Sequence, residues 1–217
     1  MCGIVGYIGK YDTTKILLDG LKELEYRGYD SAGIAVLHGN EIDVFKAVGK
    51  LVNLEEKVNQ NNKDRYNLGI GHTRWATHGK PTEVNAHPHL GEYSYVVHNG
   101  IIENYKELKD ELTSLGHNFV SQTDTEVIVH LFEHYNNKLN DAKKAFQETI
   151  KRLEGAYAIL LITKKAPEKI FFYKLGSPMI VGHGIEKDDV LFASSDSALI
   201  GLANDVVYLD DKIGGVA

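Results

Sequence analysis

The sequence predicts an α+β fold: two mainly antiparallel sheets stacked face to face between outer helices, a four-layer α/β/β/α sandwich. Three observations carry this. Short, β-branched, glycine-punctuated segments fill the first and last parts of the chain, helical spacing is concentrated between them, and the two do not alternate in the βαβ rhythm of a parallel sheet. Gly3-Ile4-Val5-Gly6-Tyr7-Ile8-Gly9 reads as a buried strand. Asp12 is placed to cap a helix with an apolar face of Ile16, Leu17, Leu21 and Leu24, ending near Gly28. Ser31 to Leu37 and Glu41 to Val48 read as a hairpin through His38-Gly39-Asn40, with further strands at Asn67 to Thr73 and Ser94 to Val97. Three helices follow: Asn104 to Leu115 stopped by Gly116, Thr125 to Tyr135, and Ala142 to Leu153. Strands return at Ala156 to Ile162, Lys169 to Tyr173, Met179 to Gly182, Val190 to Ala193 and Val206 to Leu209.

At 217 residues, with 43% hydrophobic and 25% charged residues, the chain reads as one domain over 1–217 with a core of ordinary size. A net charge of −6 without any dominant Lys/Arg cluster argues against nucleic acid or anionic membrane as partner. No apolar run is long enough to span a bilayer, and one cysteine excludes an intrachain disulfide framework. A cytoplasmic protein is the expectation.

That single cysteine, Cys2, stands directly behind Met1. Removing Met1 would leave the thiol beside a free α-amino group, whose ordinary pKa of about 7.7–8.0 lets it take the thiol proton near neutrality. Nucleophile and base would then belong to one residue. Gly3 is expected to let a substrate approach the backbone closely.

Three further segments carry chemistry. Gly69 to Gly79 begins as a strand and becomes a polar loop, in which Arg74 offers a planar fork for a carboxylate and Thr77 and His78 add hydrogen bonds. Val97-His98-Asn99-Gly100 offers two donors to an oxyanion, the Asn99 side chain and the Gly100 N–H, although Asn-Gly is equally a tight-turn dipeptide. In Ser121 to Glu126, Thr123 or Asp124 is placed to cap a helix, or Asp124 to receive a substrate ammonium. With Arg74 it would grip both ends of an α-amino acid. His72, His78, His87, His89 and His98 fall close together, but without a recognised metal-ligand spacing most read as loop-ordering hydrogen-bond donors.

Met1 to Gly9, Leu24 to Gly33 (LEYRGYDSAG), His72 to Gly79 (HTRWATHG), Asn85 to Pro88, His98 to Asn104 (HNGIIEN) and Thr123 to Glu126 together closely resemble the glutaminase domain of the glucosamine-6-phosphate synthase family, within the N-terminal-nucleophile glutamine amidotransferases. The resemblance spans nearly the whole chain. It implies that Cys2 attacks the side-chain amide of L-glutamine to form a γ-glutamyl thioester. Asn99 and Gly100 would stabilise the oxyanion, Arg74 bind the α-carboxylate and Asp124 the α-ammonium. Trp75, Thr77 and His78 would lie on a loop closing over glutamine, and Arg27 with Gly28 near the nucleophile. No cofactor or metal is implied.

Family members also carry a C-terminal sugar-phosphate isomerase region, lacking here, which receives the ammonia, converts fructose 6-phosphate to glucosamine 6-phosphate and supports a homo-oligomer. The chain is therefore expected to hydrolyse glutamine without aminating a sugar. A metal-dependent amidohydrolase using the histidines and a catalytically silent glutamine-binding module are the competing readings.

Overall fold

The computed structural model describes residues 2–61, 66–75, 79–184, 186 and 188–217. Strand β1 (Gly3–Ile8) leads to α1 (Thr13–Glu23), whose first turn is closed by the Asp12 carboxylate accepting from the Lys15 N–H. A 3-10 turn at Glu25–Arg27 precedes β2 (Ser31–His38) and β3 (Glu41–Val48), a hairpin with Gly39 at φ 58° in its two-residue turn. Helix α2 (Leu51–Asn61) was not expected; it buries Leu51, Leu54 and Val58. Next come β4 (Leu68–Arg74), the short β5 (His89–Leu90) and β6 (Ser94–Ile102). The helices α3 (Tyr105–Ser114), α4 (Glu126–Leu139) and α5 (Ala142–Arg152) follow as expected. The chain ends in β7 (Gly155–Thr163), β8 (Phe171–Leu175), β9 (Ile180–Gly184), β10 (Val190–Ala193), β11 (Ala203–Tyr208) and β12 (Ile213–Val216).

These strands form a seven-stranded sheet, β11-β9-β10-β1-β4-β2-β3, and a five-stranded sheet, β12-β8-β7-β6-β5, antiparallel at each pairing. Alternation along the strands separates three apolar layers. Val5 and Tyr7 of β1 face α1 and α2 with Leu17, Leu21 and Leu54, while Ile4 points the other way. Ile4, Ile70, Val97, Leu160 and Phe192 fill the space between the sheets. Val96, Ile159 and Leu161 pack beneath α4 and α5 against Ile128, Phe132 and Phe146. Helix, sheet, sheet, helix is the observed order. Among the described residues no helix is long and apolar enough to cross a membrane.

The sequence reading needs correction at two positions. Asn99-Gly100 is no turn, because β6 runs on to Ile102 with Gly100 opposite Tyr157 of β7. Glycine is demanded there by φ 131° and by proximity: a Cβ would lie 2.0 Å from the Ala156 carbonyl oxygen. Nor do Thr123 or Asp124 cap α4, whose N-cap is Thr125 and makes no side-chain cap bond; the Asp124 carboxylate accepts instead from the Ile102 N–H at 2.8 Å.

Candidate active site

Strand register gathers the chemistry at one end of the sandwich. Gly3 pairs with Thr73 and Ser31 with Arg74, so β1 begins, and β4 ends, at the same edge. Ser194, just after β10, ties in by accepting at Oγ from the Ile4 N–H at 3.1 Å. From the facing sheet, β6 presents Asn99 and Gly100.

The Cys2 sulfur accepts from the Trp75 N–H at 3.2 Å. Burial pushes the thiol pKa up, while the Trp75 N–H and the Arg74 charge pull it down by favouring thiolate. Gly28 permits this approach, since a Cβ there would sit 2.6 Å from the Arg74 carbonyl carbon and 2.9 Å from Trp75 N. Gly3 has a different use from the one expected: a Cβ would meet Thr73 Oγ1 at 2.6 Å and Leu24 Cβ at 2.7 Å, so packing within the chain, not substrate, occupies its free face.

Arg74 is 4% exposed and lies 4.0 Å from Asp30 Oδ1, with its guanidinium donating to the Gly79 and Lys80 carbonyls at 3.4 and 3.5 Å. The Asn99 amide donates from Nδ2 to the Cys2 carbonyl at 2.9 Å. Arg27 donates to the Ser194 carbonyl at 3.3 Å and, through Nε, to the Tyr26 hydroxyl at 3.1 Å. Trp75 is half-exposed, its ring edge-on to Tyr29 at 5.3 Å. Thr77 and His78 lie outside the described residues.

Two adjoining cavities open at the thiol. Cys2, Arg74, Trp75, Gly100 and Asp124 wall one of ≈ 40 Å³, room for about one water. Cys2, Arg27, Trp75, Asn99 and Gly100 wall the other, of ≈ 210 Å³. The structure therefore brings together Cys2, Arg27, Arg74, Trp75, Asn99, Gly100 and Asp124, with Gly28 packed directly behind. A larger cavity of ≈ 720 Å³ between α5 and β12 has none of these residues on its wall.

The histidines are placed otherwise than expected. His72 lies within β4 and His98 within β6, and with His87 and His89 they are buried beneath the site, where His87, His89 and His98 bond the segment ahead of α4. The His72 and His87 rings stack at 3.9 Å, and His87 meets His89 edge-on at 4.6 Å. Thr125 Oγ1 bonds both His87 Nε2 and His98 Nδ1 at 3.0 Å, and His89 Nε2 bonds Thr123 Oγ1 at 3.0 Å. Burial drives all four pKa values down, that of His72 to about 3, so the rings are neutral. Among the described residues no group of three or more His, Cys, Asp or Glu is placed to hold a metal ion. Sequence reasoning gave no role to Thr125 or Asp30, and placed His72 only among the candidate loop-ordering donors. The run Leu68, Ile70, His72, Arg74, alternate residues of one strand, was the signal that His72 shares the inward face with Arg74.

Comparison with known proteins agrees with this geometry. Residues 72–201 match the family described as glutamine amidotransferase domain. The chain is 58% identical over all of its length to the glutamine–fructose-6-phosphate aminotransferase [isomerizing] of Campylobacter jejuni, and 54% identical over 99% of its length to that of Helicobacter pylori. It spans only 36% of either relative. Among solved structures, an allosteric regulatory enzyme of purine biosynthesis superposes with TM-score 0.80 at 28% identity, covering 96% of this chain and 44% of that one. The glutamine phosphoribosylpyrophosphate amidotransferase of B. subtilis shares the fold at TM-score 0.79 and 24% identity, over 100% of this chain and 49% of that one. A family match across more than half the chain, on a sandwich with its lone thiol at the mouth of the cleft, makes this chain a member of the glutamine amidotransferase domain family.

Proposed function

We propose that the chain hydrolyses L-glutamine to L-glutamate and ammonia through a thioester on Cys2. The observation that carries this is the gathering around Cys2 of a backbone N–H from Trp75 on its sulfur, an Asn99 amide on its carbonyl, and a buried guanidinium on Arg74 and a carboxylate on Asp124 in the wall of the same cavity. After removal of Met1, the α-amino group takes the thiol proton and sulfur attacks the side-chain carbonyl carbon of glutamine. The carbonyl π pair moves to oxygen, where Asn99 Nδ2–H and the Gly100 N–H stabilise it. Collapse breaks the C–N bond, and the amide nitrogen leaves as ammonia with the proton held by the amine. Water then adds to the thioester, the C–S bond breaks, and the thiol is restored. Arg74 exchanges the Gly79 and Lys80 carbonyls for the α-carboxylate, and Asp124 takes the α-ammonium. Trp75, a wall of both cavities, moves to admit glutamine into the narrower one, and closure over it excludes bulk water. Arg27 and Gly28 support the nucleophile's end of the cleft.

Residues 1–217 form one glutaminase unit in this reading. Because the chain spans about a third of the Campylobacter and Helicobacter relatives, the reaction of a whole protein built like them is a further step of the proposal. Ammonia would pass to an isomerase region and aminate fructose 6-phosphate, in a cytoplasmic homo-oligomer.

Glutamate and ammonia release from L-glutamine is the test, beside Cys2→Ala and with a chelator in parallel. Turnover that survives the chelator and falls by at least about 10³-fold in Cys2→Ala is expected. Wild-type turnover in Cys2→Ala would remove the thiol from the mechanism.

A further inference from the structure

Resting on the hydrolysis proposed above, we infer that His72 is a positioning residue, whose Nε2–H holds the Asn99 amide in the orientation that turns its NH2 group toward the nucleophile. His72 points from β4 into the space between the sheets, where Asn99 of β6 meets it from the opposite side. Nε2 lies 3.0 Å from Asn99 Oδ1 and 3.1 Å from the His98 carbonyl oxygen. Both are acceptors, so Nε2 carries the proton and the ring donates to both. The other face of the amide is fixed in the same sense, Nδ2 donating to the Cys2 carbonyl at 2.9 Å.

Turning this amide over would set its NH2 against the His72 N–H and its oxygen against the Cys2 carbonyl, donor on donor and acceptor on acceptor. A water or hydroxyl in place of the ring would give no such preference, because either accepts as readily as it donates. The imidazole, held in one tautomer by the His98 carbonyl, is a donor only on this side. Among the described residues buried Nδ1 has no hydrogen-bond partner and the ring is stacked on His87, so nothing there favours the other tautomer, while burial outweighs the pull of the Asn99 and His98 oxygens toward the charged form. The second hydrogen of the Asn99 amide is thereby left for an oxyanion formed at the Cys2 sulfur. An amide free to rotate would present oxygen to that oxyanion for part of the time, and the loss would fall on the transition state rather than on glutamine binding.

The test compares His72→Gln, which keeps an N–H donor at similar reach, with His72→Met, of matching length but without one. Steady-state hydrolysis is measured with the rate of Cys2 alkylation by iodoacetamide, a substitution that builds no oxyanion. In His72→Met, kcat is expected to fall about 10²-fold with KM within about two-fold and alkylation unchanged. In His72→Gln, kcat is expected to recover to within about ten-fold of wild type. Equal kcat losses in both variants, a loss expressed in KM, alkylation slowing in step with turnover, or a His72→Met protein that does not fold would each overturn the assignment and leave His72 a purely structural residue. Cys2→Ala run alongside separates failure of the thiol mechanism, where its turnover persists, from failure of the His72 inference, where it does not.

Discussion

Two groups of histidines, one beneath the site and one on and beside α4, behave as different materials. His72, His87, His89 and His98 lie beneath the nucleophile, none more than 5% exposed, bonded to an amide, a carbonyl and threonine hydroxyls. His117, His130 and His134 gather toward the surface, with His117 ring centroids 5.3 and 5.9 Å from the other two. There His117 and His134 are only half-buried, and the more deeply placed His130 has the Glu126 carboxylate at 3.5 Å. Beneath the site burial opposes a proton on each ring; neighbouring imidazoles and Arg74 oppose it further at His87, while Asp124 favours it at His98 and Glu126 at His89 without offsetting the burial. The neutral histidine is thus a condition of the fold at the site.

Acid distinguishes the two groups most strongly. A buried histidine whose native pKa lies below its unfolded value of about 6.5 binds fewer protons folded than unfolded, so stability falls as pH drops below 6.5. For His72 the loss continues down to its native pKa of about 3. Between its two pKa values such a ring contributes at most about 1.4 kcal/mol per pH unit, and the other three burial-lowered rings act in the same direction. The acidic groups with lowered values, such as Glu126 at about 2, begin to matter only below their unfolded pKa of about 4.5, so the window from 6.5 to 4.5 belongs to histidine. Over those two units all four act to lower stability. Urea unfolding followed from pH 7.5 to 4.5 is expected to show this decline, with His89→Gln making it shallower. A stability curve flat to pH 4.5 would show that the four rings take up protons without penalty.

Truncation at neutral pH comes next in size. His87→Ala removes a 5%-exposed ring that stacks on His72 and bonds Thr125, leaving a cavity and a hydroxyl that must serve His98 alone. The expected cost is about 2–4 kcal/mol. Denaturant midpoints at pH 7.5 with an unchanged m-value measure it, and a cost below about 0.5 kcal/mol would place His87 with the outer group.

Much of this organisation is legible in the sequence itself, and the gaps have identifiable causes. Helix α1 carries a cap at Asp12 and a clean apolar stripe, two local signals in agreement, and it forms where they point. Helix α2 buries only Leu51, Leu54 and Val58 within a polar stretch, so its periodicity is thin. Asn99-Gly100 has the composition of a turn, and it is the neighbouring strand's Ala156 carbonyl, distant in sequence, that makes glycine necessary in mid-strand. Cys2, Arg74 and Asp124 could be matched to charges and bonds that glutamine must offer. His72 touches no substrate in this reading, and its partner Asn99 lies in the other sheet, 27 residues on. Its role depends on how two sheets face each other, which no local pattern records.

The smallest expected effect is at the outer group, and its smallness carries information. In His134→Ala the half-buried ring loses edge contacts to His117 at 5.9 Å and Tyr135 at 5.6 Å, while the contact between His117 and His130 at 5.3 Å and the proximity of His130 to Glu126 do not depend on it. Its site refills with water, so neither a dry cavity nor an unsatisfied buried group is created. A change within about 0.5 kcal/mol at pH 7.5 is expected by urea unfolding. Since the residue removed is again a histidine, an equal loss in His134→Ala and His87→Ala would mean that residue type, and not burial, sets the cost of truncation. A near-silent His134→Ala beside a costly His87→Ala assigns that cost to burial, and with it the neutrality on which the donor at His72 depends.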